Sequence, residues 1–194
     1  MNHTGTITLY TERLILRRFT ENDAPAMFAN WAADGEVTQY LPWKEYKSLA
    51  ETQDYLREVT ERYASPDFYE WCIVLKETGE PIGSCGAVQV NDDLRAVGLG
   101  CCLSRKVWGL GLAPEATQAM LRHFFETVGA ARISAAHHEP NLKSGRVMQK
   151  CGMTYEGTLR KNAKDKNGNL VNTCMYSVLA EEYFARQKNV ERQI

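Results

Sequence analysis

The sequence lacks any long apolar run, carries almost no net charge, has few histidines and contains no paired cysteine motif, and each lack removes a class of protein. No stretch reaches the roughly 18 consecutive apolar residues of a membrane-spanning helix. The first residues, MNHTGTITLYTERLILRRF, put no apolar segment ahead of their charges, so neither a membrane partner nor a signal peptide is expected. Lysine and arginine number 23 against 24 aspartate and glutamate, a net charge of -1. That balance leaves no basic field for a polyanion and disfavours a direct nucleic-acid partner. There are 4 histidines, and the one adjacent pair, His137-His138, has no cysteine or carboxylate at ligand spacing, so no metal is expected. None of the 6 cysteines (Cys72, Cys85, Cys101, Cys102, Cys151, Cys174) belongs to a C-x-x-C pair. Reduced, mostly buried thiols and a cytoplasmic location are the expectation.

What the sequence does have is 194 residues with 44% apolar content, enough for a core. One domain is expected over residues 1–185, with 186–194, poor in apolar residues, as a frayed tail. Ile7 to Phe19 reads as a strand. TENDAPAMFANWA reads as a helix with Thr20 or Asn22 as cap and Pro25 in its first turn, and LAETQDYLREVTERYA as a second helix capped near Ser48. YEWCIVLKETGEPIGSCGAVQV is a hairpin signature, and AVGLGCCL adds a third antiparallel strand. A helix ending at Gly129, the strand ARISAAHH, a short helix at about 143–151 stopped by Gly152, and two strands around DKNGN complete the order. It predicts an α+β fold (α/β/α layers) with one mixed, mostly antiparallel sheet and helices on both faces; only the central strand–helix–strand pieces can pair in parallel.

Chemistry concentrates between the third antiparallel strand and the next helix. Lys106-Val107-Trp108-Gly109-Leu110-Gly111 places glycines where free amides at a helix start can receive phosphate oxygens. It is not a GxxxxGK[ST] loop, because no Lys-Ser or Lys-Thr follows the glycines. Gly98 and Gly100 inside the preceding strand cost about 0.5–1 kcal/mol each relative to alanine and admit close approach of other backbone or a ligand, which marks the strand as a place to look for a site.

RKVWGLGLAPEA, followed some thirty residues later by NLKSGRVMQKCGMTYEG, resembles the acyl-CoA-binding core of the GNAT superfamily of N-acetyltransferases. With TERLILRRF at the front and MYSVLAEEY at the back, it is similar to the branch that acetylates ribosomal-protein N-termini. The resemblance implies a sheet splayed at its centre, an open, bulged edge in the strand of Gly98 and Gly100, and acetyl-CoA as cosubstrate. Its pyrophosphate would lie on the 106–112 loop (Lys106, Val107, Trp108, Gly109, Leu110, Gly111, Leu112) and its pantetheine along Cys102 and Leu103, where strand amides would also support the oxyanion. Asn141 matches the family asparagine at the pantetheine arm and could equally cap the helix that follows. Ser144, three residues on, is the candidate acid for the departing thiolate, since Met148 stands where other branches carry a tyrosine. Family carboxylate positions hold Gly98 and Ala163 here; Glu70, His138 and Glu156 remain as possible relays. Trp43 and Tyr46, with Glu70, are the candidate acceptor-binding residues. The acceptor implied is a primary amine, first a protein N-terminus, alternatively a polyamine, aminoglycoside or amino acid, on a monomer or homodimer. From another class, the chain could be a CoA-binding sensor or scaffold without turnover.

Overall fold

The computed structural model describes residues 1–191. In chain order the elements are β1 (Leu9–Tyr10), β2 (Leu14–Arg17), α1 (Ala24–Met27), α2 (Leu49–Arg62), β3 (Glu70–Leu75), β4 (Pro81–Asn91), β5 (Ala96–Leu103), α3 (Leu112–Arg122), β6 (Arg132–His138), α4 (Leu142–Lys150), β7 (Thr154–Lys164), β8 (Leu170–Leu179) and α5 (Ala180–Glu191). The strands form one sheet in the order β1-β2-β3-β4-β5-β6-β8-β7. Every pairing is antiparallel except β5 with β6. The expected mixed sheet with helices on both faces is what forms.

Local chemistry sets the helices. Thr20 and Asp23 make a reciprocal capping box ahead of α1, Pro25 sits in its first turn, and a wide π turn (Phe28–Ala32) closes it. Ser48 is extended and its hydroxyl accepts from the Glu51 amide, starting α2, whose Leu56 and Val59 turn inward. Alternation along β3 splits the core between the faces. Trp71 and Ile73 join Leu14, Leu16, Met120 and Phe124 under α3, whereas Cys72 and Val74 join Phe19, Trp31, Leu56 and Val59 under α1 and α2.

The sheet opens at its centre. Pairing of β5 with β6 runs from Ala96↔Arg132 to Leu99↔Ala135 and stops, while β4 stays paired with β5 up to Leu103. The far half of β5 therefore has a neighbour on one side only, and β6 continues beside β8.

Four local expectations change. Residues 7–19 do not run as one strand: Thr11 Oγ1 accepts from the Leu14 amide at 2.8 Å and folds the segment into the β1–β2 hairpin. The bulge lies in β4, not in the glycine strand; the register slips between Ala87 and Gln89, so Val88 is the extra residue. A Cβ on Gly100 would lie 2.8 Å from Val88 Cγ1, so that glycine makes room for the bulged side chain. Of the cysteines, all free, Cys72, Cys85 and Cys151 are buried, Cys102 and Cys174 partly so, and Cys101 is exposed. Finally, residues 186–191, expected to fray, continue α5; residues 192–194 of that tail lie outside the described residues.

Candidate active site

One wall of the gap is made of backbone. Ser104 N–H donates to the Ile82 carbonyl on β4 at 2.7 Å. Antiparallel alternation then points the amides of Leu103 and Cys101 to the other edge of β5, into the gap that β6 has left. The chain next makes the loop Lys106–Gly111, where Gly109 and Gly111 take φ of 84° and 80°. These left-handed conformations suit glycine alone and turn successive amides outward ahead of α3. Among the described residues, the N–H groups of Gly109 to Leu112 have no acceptor within the protein. Arg13 braces the loop from β2's side: its Nη1 donates to the Leu110 carbonyl at 2.9 Å, and its Nε donates to Glu115 in the first turn of α3 at 2.7 Å.

The opposite lip of the gap is α4. Asn141 caps it, with Oδ1 accepting from the Ser144 amide at 3.4 Å, and Ser144 is half-buried in its first turn. Gly145 lets α4 close on β6, because a Cβ there would stand 2.9 Å from His137 Nε2. Met148 is buried beneath, in the core.

Lys106 turns away from the loop mouth: its Nζ donates to buried Asn30 Oδ1 at 3.0 Å, tying the loop to the end of α1's π turn. Trp108 packs behind the loop, its Nε1 donating to the Leu103 carbonyl at 2.9 Å, and Lys143 stacks over its ring at 4.4 Å.

The other face of the open sheet is walled by side chains. Trp43 and Tyr46 lie 5.4 Å apart between ring centroids, Tyr46 and Tyr55 6.3 Å, and all three pack on the α1/α2 core together with Cys102. Lys166, in the β7–β8 turn, donates to the Gly35 carbonyl at 3.3 Å and to Glu45 Oε2 at 3.1 Å, tying that turn to the segment carrying Trp43 and Tyr46. Glu70 faces the same side from β3. Burial pushes its carboxyl up to about 8, against the opposing pull of the Ser84 hydroxyl, Arg62 and the Tyr55 hydroxyl. The other named acids are differently placed. Glu156 bonds Arg132 Nη1 at 2.7 Å and is held at about 2, first by that arginine and then by Ser177. His138 meets Tyr40 edge-on, 6.1 Å between centroids, and desolvation lowers its pKa. Trp31, Tyr69 and Trp71 are core residues.

Residues 13–154 match the family described as acetyltransferase (GNAT) domain. The chain belongs to the GNAT acetyltransferase family. It is 32% identical over 176 residues to the uncharacterized N-acetyltransferase p20 of Bacillus licheniformis, covering 91% of this chain and 98% of that one. Among solved structures, a GNAT-family acetyltransferase from Bacillus anthracis superposes with a TM-score of 0.79 at 25% identity, covering 91% of this chain and all of the other. A ribosomal-protein-S5-alanine acetyltransferase from Vibrio fischeri shares the fold, at 18% identity and a TM-score of 0.79, over 91% and 98% of the two chains.

This GNAT chain is an acetyl-CoA-dependent acetyltransferase, and its residues fit that cosubstrate: an unpaired row of amides at Gly109–Leu112, and strand amides that open on a gap in the sheet. No group of three or more metal-ligating side chains occurs among the described residues, and no helix among them is long and apolar enough to cross a membrane. Sequence reasoning missed Arg13 and Glu115, which brace the loop across about a hundred residues of chain, and Asn30, which holds Lys106.

Proposed function

We propose that this GNAT enzyme transfers acetyl to a primary amine held on the α1/α2 face, with the N-terminal α-amine of a protein, such as a ribosomal protein, as the leading acceptor. The observation that carries the reading is the sheet gap flanked by the outward amides of Cys101 and Leu103 on one strand and by Asn141 and Ser144 on the facing helix. Acetyl-CoA supplies the thioester carbon that the amine attacks. The Gly109–Leu112 amides, with the positive end of α3 behind them, receive its phosphates. The Leu103 and Cys101 amides are fixed dipoles where negative charge develops on the thioester oxygen, and fixed dipoles need no reorganisation as that charge forms. On this reading Ser144 Oγ donates to the departing sulfur, and the Asn141 cap supports the start of α4 that carries the hydroxyl. Lys106, engaged by Asn30, holds the loop rather than a phosphate.

An α-amine has a pKa near 7.7–8.0 and is substantially neutral around pH 7–8, which suits an acceptor site without a carboxylate on β5. A small amine (a polyamine, aminoglycoside or amino acid) is the second reading. The Lys166 bridge to Gly35 and Glu45 favours it, because a tied β7–β8 turn narrows the approach to the aromatic wall. Free thiols throughout agree with a cytoplasmic setting.

The test is release of CoA thiol from acetyl-CoA, screened against N-terminal peptides, polyamines, aminoglycosides and amino acids. Turnover with peptides supports the leading reading, turnover confined to small amines supports the second, and no turnover with any of them removes both.

A further inference from the structure

Glu70 lacks the partners that hold the other partly or fully buried carboxylates. Asp23, Asp34, Glu45 and Glu115 each sit on an arginine or lysine, and Asp165 and Glu182 accept from backbone amides. Glu70 has neither kind of partner among the described residues: the Ser84 and Tyr55 hydroxyls are its hydrogen-bonding neighbours, and Arg62 on α2, the cation whose charge reaches it, stacks on Phe68 at 4.1 Å. An enclosed carboxylate without a cation opposes folding, so its presence calls for a use.

Its place in the sheet supplies one. Glu70 pairs with Gly86, and Gly86 with Gly100, so the three occupy one row across β3, β4 and β5 on the α1/α2 face. A Cβ on Gly86 would stand 2.6 Å from Glu70 Oε2, which means the carboxylate lies over that glycine. It stands one strand spacing, about 4.8 Å, from the β5 backbone that borders the gap. Cys72↔Ser84↔Cys102 form the next row, and Tyr55 covers it from α2. Val88, the bulged residue, fences the far side over Gly100. The groups facing the carboxylate are therefore Tyr55 and Arg62 from α2, Tyr63 at its end, Cys72 from β3, Ser84 from β4 and Cys102 from β5. Burial keeps the two thiols neutral by raising both pKa values. No second carboxylate is among them.

We infer that Glu70, from its row beside the β5 backbone, takes the proton from the acceptor ammonium. This rests on the acetyl-transfer reading above. The Glu70 carboxylate accepts one proton from R–NH3+. The freed lone pair forms the N–C bond to the thioester carbon, and the C–S bond breaks with its electron pair leaving on sulfur. The second nitrogen proton reaches that thiolate by way of Ser144, and Glu70 returns its own proton to solvent. Because burial raises the Glu70 pKa to about 8, the active carboxylate form accumulates as pH rises toward that value, and kcat/KM rises with it.

The experiment compares the wild-type protein with Glu70→Gln on two small primary amines of contrasting basicity, butylamine and trifluoroethylamine. Acetyl-CoA affinity and melting temperature are measured on the same samples, and the Glu70 carboxyl is titrated by carbon-13 NMR with the variant as blank. The expected result is a fall in kcat/KM of about 10²–10⁴-fold for butylamine, with loss of the pH inflection near 8. A much smaller fall is expected for trifluoroethylamine, which is already neutral, and acetyl-CoA affinity should be unchanged. Equal losses on both amines would mark Glu70 as structural and overturn the inference. So would undiminished turnover by Glu70→Gln, or a Glu70 carboxyl titrating in the ordinary range near 4.3. If the wild-type protein acetylates neither these amines nor any peptide or amine in the wider screen, the acetyl-transfer reading fails and takes this assignment with it; turnover that survives Glu70→Gln removes the assignment alone.

Discussion

The two sides of the sheet opening are built from different materials. On the proposed cofactor side they are main-chain: outward amides of Cys101 and Leu103, and amides exposed by glycines at φ 84° and 80°. On the proposed acceptor side they are side chains: Trp43, Tyr46 and Tyr55 as a wall and Glu70 as an acid without an ion-pair partner. A backbone site tolerates side-chain replacement as long as the glycines and the helix start survive. A side-chain site can be altered at one residue while the fold stands. The cofactor side is thus fixed by conformation, and the acceptor side is free to vary with the amine it serves.

If this contrast is right, mutations should separate by the step they harm. The largest effect belongs to Ser144, on the lip between the two sides. Ser144→Ala should lower kcat by about 10²–10⁴-fold with acetyl-CoA affinity little changed, because the lost hydrogen bond forms mainly in the transition state. Kinetics with the acceptor found by the screen, beside calorimetry, check this; a loss accounted for wholly by weaker CoA binding would make Ser144 a cofactor contact. Next comes the loop. A β-branched residue at φ 80° is strained by about 1–3 kcal/mol, so Gly111→Val should weaken acetyl-CoA binding by about tenfold or more in a folded protein. Undiminished affinity there would contradict the backbone site.

The acceptor side can also be probed through stability. A carboxyl whose pKa rises from 4.5 to about 8 on folding binds its proton more tightly in the native state. The stabilisation linked to that proton is present at low pH and is lost as pH rises from about 4.5 through about 8. Glu70→Gln stays neutral throughout, so its melting temperature relative to wild type should be lowest below about pH 4.5, rise between there and about pH 8, and level off above. A constant difference across that range would mean that Glu70 carries no buried charge. Smaller again, Asn141→Ala should cost about 0.5–2 kcal/mol through the lost cap, read by denaturant unfolding. Lys106→Met should do least to acetyl-CoA affinity, with a change of less than about threefold by calorimetry, because its ammonium bonds Asn30 and a charge near exposed amides adds little.

The same contrast explains what was legible in the sequence. Residues 106–112 and 141–144 are contiguous segments whose conformation is set by their own glycines and cap residue, and a local pattern survives being read in one dimension. The role inferred for Glu70 depends on the row Glu70–Gly86–Gly100. That row needs the pairing register of three strands and the position of the Val88 bulge, neither of which residue spacing fixes. Gly98 and Gly100 did announce an unusual strand, but the bulge they accommodate lies on the neighbour. The turn at Thr11–Leu14 was hidden for a related reason: a threonine hydroxyl, not a glycine or proline, folds it. In the tail, Glu182 accepts from the Leu179 amide and starts α5, so the helix extends past the last buried aromatic, Tyr183.

The most direct test of the division between a main-chain cofactor site and a side-chain acceptor site is calorimetric titration of acetyl-CoA into Gly111→Val and Glu70→Gln, each confirmed folded. The expected result is a wild-type dissociation constant for Glu70→Gln and a severely weakened one for Gly111→Val. Equal weakening in both, or weakening in Glu70→Gln alone, would contradict it.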